Sequence, residues 1–209
     1  MPIIPIFLFF VVVSASVIAG PIISKIGVIL NFFLKESDAI ALFPGGFGTL
    51  DEAMETLTLI QTGKRNPMPL LLIDDPDCSY WIHIIKLFEE ELLSRNYICQ
   101  SDFALFARVC SVDAAVEKIK HFYRRYHSIR YVNDQLVIRL TSQLSPDDIR
   151  KLTDQFHDII LHGGSIAASG ALEAEMDDAD VIHLPRLVID FNRIGFGRLM
   201  SLIDSINDF

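Results

Sequence analysis

The stretch AIALFPGGFGTLDEAMETLTLIQTGK, residues 39–64, decides the fold of the chain. Ala39 to Phe43 is a short apolar run that stops at Pro44, as expected of a parallel strand covered on both faces. Leu50, Ala53, Met54, Leu57 and Ile60 then recur at helical spacing, and Thr62-Gly63 closes that helix. Beyond Pro67 and Pro69, Leu70 to Ile73 reads as a second buried strand. Strand, helix and strand in this order make a βαβ unit, so the sequence predicts an α/β domain with a parallel sheet.

The turn inside that unit is Pro44-Gly45-Gly46-Phe47-Gly48-Thr49-Leu50-Asp51-Glu52. Glycine at 45, 46 and 48 allows positive φ and lets a ligand approach the backbone with no Cβ in the way. Because the turn leads into a helix, its backbone N–H groups and the positive end of the helix dipole make an anion-binding position at the strand's C-terminal edge. The dipole contributes about 0.3 to 1 kcal/mol, up to ~2 when partly buried, so several N–H bonds must supply the rest. Thr49-x-x-Glu52 also fits a capping box, which would give both residues a purely structural task. Three clustered glycines are not needed for a capping box, however. The spacing fits neither the dinucleotide fingerprint, since Asp51 stands where Gly or Ala is wanted, nor a Walker loop. Asp51 is expected to be solvated and Lys64 to be a loop lysine.

The segment KESDAIALFPGGFGTLDEAMETLTLIQTGK, Lys35 to Lys64, resembles the LONELY GUY (LOG) family, formerly termed "possible lysine decarboxylase". The resemblance implies a Rossmann-like fold and cleavage of nucleoside 5′-monophosphates, notably cytokinin riboside monophosphates, to free base and ribose 5-phosphate. It implies that Gly45, Gly46, Gly48 and Thr49 hold the 5′-phosphate and that Glu52 serves the reaction at ribose C1′. It further implies a purine nucleoside monophosphate as substrate, a homodimer in the cytoplasm, and no cofactor. The chain has no recognisable pyridoxal-phosphate lysine motif. FYRRYHSIRYV (122–132) and LPRLVIDFNRIGFGRL (184–199) are similar to the longer bacterial branch with a C-terminal extension, so the similarity is expected over residues 35–209. The family's Arg-Lys pair falls at Ile29 and Leu30, and its first βαβ unit is not recognisable, so an N-terminally incomplete domain of impaired activity is expected. A noncatalytic nucleotide- or molybdenum-cofactor-binding protein with the same turn is the alternative.

Outward from this segment, Trp81, Ile84, Ile85, Phe88 and Leu92 mark a helix over 79–95, and Leu105 to Cys110 a third strand. Ser111 is placed to cap a helix carrying Val116, Ile119, Tyr123 and Tyr126. Strands near 135–140, 165–168 and 187–191, with helices over 146–160 and 197–206, form a compact α+β module. The expected division is therefore an apolar segment (1–34), a Rossmann-like domain (35–130) and an α+β module (131–209). Arg124, Arg125, His127 and Arg130, interleaved with tyrosines, suit either an anion or an interdomain polar seam, and the seam fits the charge better.

The chain has 18 Lys plus Arg against 27 Asp plus Glu, a net charge of −9, which disfavours nucleic acid and anionic membrane surfaces as partners. Residues 1–34 hold one charged side chain, Lys25, and raise the mean hydropathy to +0.36. Residues 2–24 are long and apolar enough for a membrane span, but Pro2, Pro5 and Pro21 and the missing flanking charges favour a covered α/β strand and helix. Three cysteines without C-x-x-C spacing signal neither a disulfide framework nor zinc, and the six histidines show no metal-binding spacing.

Overall fold

The computed structural model describes residues 37–74 and 79–209. The readings placed on residues 1–34, including the membrane span over 2–24 and the positions Ile29 and Leu30, lie outside the described residues. Contacts divide the chain into two units at Ile119/Lys120.

In the first unit, β1 (Ile40–Leu42), β2 (Leu70–Ile73) and β3 (Ala107–Val109) form a parallel sheet in the order β1-β2-β3. All residues of β1 and β2 are buried, which is why both read as unbroken apolar runs. Helix α1 (Phe47–Gln61) connects β1 to β2, and α2 (Tyr80–Leu87) follows β2. The unit is α/β and Rossmann-like. Gly63 (φ 68°) closes α1 by donating its N–H to Ile60, because only glycine takes this left-handed position at no steric cost. The helix expected over 79–95 stays α-helical to Leu87 and continues as a π-turn over Phe88–Leu93. A 3₁₀ turn (Gln100–Leu105) then shortens the third strand at its start. Cys110, directly after β3, is disulfide-bonded, a bond that the cysteine spacing did not signal.

Helix α3 (Val112–Phe122) is capped by Ser111, whose Oγ accepts from the Ala114 N–H. It ends before Tyr123 and Tyr126, which the helical pattern had included. Tyr126 instead opens β4 (Tyr126–Val132), the first strand of the second unit. The turn before it is held by Asn207, which accepts from the N–H groups of Arg125 and Tyr126 and donates to the Phe122 carbonyl. β5 (Gln135–Leu140), α4 (Pro146–Gln155), β6 (Ile166–Ser169), β7 (Arg186–Ile189) and α5 (Phe196–Asp208) complete an antiparallel sheet of order β4-β5-β7-β6 with two helices. Leu136, Ile138, Leu152, Phe156, Ile189 and Leu202 are buried in its core.

Candidate active site

The glycine turn lies between the C-terminal end of β1 and the start of α1. Helix α1 begins at Phe47 with Gly46 as its N-cap, and its first intrahelical bond runs from the Leu50 N–H to the Gly46 carbonyl at 3.2 Å. The N–H groups of Phe47, Gly48 and Thr49 therefore have no acceptor within the helix. No side chain caps this end. Thr49 is the third helical residue and Glu52 lies in the second turn, so the capping-box reading of this pair is not what the structure shows.

The glycines act through their size. Among the described residues positive φ in glycine occurs at Gly63 and Gly163, not in this turn. A Cβ on Gly45 would lie 2.2 Å from Thr49 Oγ1 and 3.0 Å from Thr49 Cβ, so the close approach of chain and helix requires glycine there. A Cβ on Gly46 or Gly48 would meet nothing within 4 Å. The space beside both is open to solvent, and Phe47 between them is 93% exposed.

Below the turn, one face of α1 carries Thr49, Glu52, Ala53, Thr56 and Ile60, all buried. The sequence pattern had chosen Leu50, Ala53, Met54, Leu57 and Ile60. Leu50, Met54 and Leu57 are only half-buried, and Met54 and Leu57 instead line an apolar cavity of about 150 Å³ with Phe88, Leu92 and Leu105. Helix α1 is thus rotated so that three polar residues face inward. Among the described residues, Thr49 Oγ1, Glu52 Oε2 and Thr56 Oγ1 are buried without a hydrogen-bond partner, as is Trp81 Nε1 on α2. Buried polar atoms are almost always paired, so a row of unpaired ones has hydrogen-bonding capacity left for a water or a ligand. Burial, reinforced by Asp51 and Glu55, pushes the Glu52 carboxyl up to about 7. Asp51 and Lys64 are exposed.

The other strands support the turn from the side. Asp74, directly after β2, accepts from the Trp81 N–H at 2.8 Å and from Arg108 Nη1 at 3.3 Å. Tyr80 donates its hydroxyl to the Gly45 carbonyl at 2.7 Å. The sequence reading found none of Thr56, Asp74, Tyr80 and Arg108. For Thr56 the signal was available, since it lies seven residues after Thr49 and four after Glu52. For the others no spacing links them, because they come from the end of β2 (Asp74), the start of α2 (Tyr80) and β3 (Arg108).

In the second unit a cavity of about 520 Å³ is lined by Gln143, Ile149, Ser169, His183 and Arg186, and holds none of the motif residues. Of the basic cluster, Arg125 donates to the Gln143 carbonyl and Arg130 pairs with Asp178 at 2.6 Å, so both serve the internal structure of this unit. No group of three His, Cys, Asp or Glu suited to a metal ion occurs among the described residues. No helix of those residues is long and apolar enough to cross a membrane.

Two similarities to known proteins bear on this site. The family described as "Possible lysine decarboxylase" matches residues 21–119. This match begins upstream of Lys35, where the sequence reading saw no similarity, and covers the described residues of the first unit. A cytokinin riboside 5′-monophosphate phosphoribohydrolase of Arabidopsis thaliana is 40% identical over 63 residues, 30% of this chain. The match spans 29% of that relative's length.

Proposed function

Since residues 21–119 belong to the LOG family, the one described as "Possible lysine decarboxylase", we propose that the chain acts as a phosphoribohydrolase on nucleoside 5′-monophosphates. Water adds to ribose C1′, the C1′–N bond breaks, the base leaves with a proton, and ribose 5-phosphate remains. Gly45, Gly46, Gly48 and Thr49 hold the 5′-phosphate with their N–H groups at the start of α1 and with the Thr49 hydroxyl. Glu52, one turn further in, faces the ribose. As C1′ loses the base it gains oxocarbenium character, which a nearby carboxylate stabilises while orienting the water. The same reading implies a purine base, a homodimer and a cytoplasmic setting.

The observation that carries this proposal is Glu52: a buried carboxyl with an oxygen that has no partner among the described residues, on the helix face that continues inward from the glycine turn. The test is to incubate the chain with AMP and to quantify adenine and ribose 5-phosphate. Equimolar release is expected, falling on the order of 10²-fold or more in Glu52→Gln if its charge stabilises the transition state. Equal rates in both proteins would remove Glu52 from the chemistry. One feature of the sequence favours nucleotide binding without turnover: Ile29 and Leu30 stand where the family has its Arg-Lys pair.

A further inference from the structure

The peptide unit that joins Gly45 to Gly46 is held by a residue outside the motif. The Tyr80 hydroxyl, on the first residue of α2, donates to the Gly45 carbonyl at 2.7 Å. The described peptides are all trans. In a planar trans unit the C=O and N–H point to opposite sides, so fixing the Gly45 carbonyl also fixes the direction of the Gly46 N–H. With glycine on both sides this plane turns over at little steric cost unless something holds it. A hydrogen bond accepted by the carbonyl also polarises the unit and makes its N–H a stronger donor.

Tyr80 is itself firmly placed. Its ring meets Trp81 edge-on at 4.9 Å, and Trp81 is completely buried. The Trp81 N–H is bonded to Asp74, which also takes Arg108 from β3. One continuous set of contacts therefore runs from the ends of β2 and β3, through the start of α2, to the glycine turn after β1.

We propose that Tyr80 is a positioning residue for phosphate: it sets the Gly45–Gly46 peptide so that the Gly46 N–H points at the anion. This rests on the reading of the turn as a phosphate site. Tyr80→Phe removes the hydroxyl and keeps the ring against Trp81. Calorimetry on the full chain with AMP, inorganic phosphate and adenosine separates the possibilities. AMP and phosphate should each bind about three- to tenfold more weakly to the variant, the worth of one hydrogen bond, with adenosine unchanged. In NMR titrations with inorganic phosphate the Gly46 amide signal should move in the wild type and move less in the variant. Equal AMP affinity in both proteins would overturn the proposal, as would an equal loss for AMP and adenosine, which means general loosening. Wild-type protein that binds neither AMP nor phosphate would overturn the phosphate-site reading and this proposal with it.

Discussion

Glu52 has a consequence for stability as well as for chemistry. Its carboxyl is raised to about 7 from an ordinary 4.5, so between these values the folded chain holds a proton that the unfolded chain has released. Stability therefore falls as pH rises through that window. Glu52→Gln cannot ionise, so its unfolding midpoint should change less with pH between 4.5 and 7, and it should exceed that of wild type above the window. Turnover has the opposite slope, since charge stabilisation needs the ionised form: the rate should rise as pH passes about 7. Thermal melts and rate profiles over the same pH series check both. The two glycines beside it separate fold from site in the same way. Gly45→Ala drives a methyl into the fully buried Thr49 and should destabilise the first unit by about 1 to 3 kcal/mol. At Gly46 a Cβ meets nothing within 4 Å, so Gly46→Val should cost only about 1 kcal/mol, for a poorer N-cap, yet lose phosphate binding. A Gly46→Val protein that keeps its nucleotide affinity would place the anion elsewhere.

At the scale of elements, the sequence was most legible where one rule acts alone. Leu70 to Ile73 was read with its observed bounds because a strand covered on both faces needs only apolar residues. Helix α1 was read as a helix, but its buried face was misjudged: hydropathy selects apolar residues, and this helix turns Thr49, Glu52 and Thr56 inward. The helix after Ser111 was read too long for a different reason. Tyr123 and Tyr126 continue its period, but Asn207, far along the chain, binds the backbone at Arg125 and Tyr126 and starts a strand there. Asn207→Ala would leave two N–H groups and one carbonyl without this fully buried partner. It should cost the second unit about 2 to 4 kcal/mol in urea unfolding. A loss below half of that would show that water replaces the amide.

At the scale of the whole molecule, the glycine turn leaves open space beside Gly46 and Gly48, and by the resemblance to the LOG family Ile29 and Leu30 stand in the place of a charged pair. Each preorganised charge lost from such a site commonly costs 10² to 10³ in rate. With Ile29 and Leu30 at the positions of the Arg-Lys pair, AMP cleavage by the chain should be slow, and Ile29→Arg with Leu30→Lys should raise it at least tenfold. Unchanged rates would show that this pair is not what limits the reaction. Hydrolysis and nucleotide binding without turnover both require phosphate at the same turn. The most direct measurement is a titration of the isotope-labelled full chain with AMP, following the backbone amide signals of Gly46, Phe47, Gly48 and Thr49 by NMR. These four signals should move together and saturate, and adenosine should leave them in place. AMP that shifts none of them, or only signals of residues 120–209, would place the phosphate away from this turn.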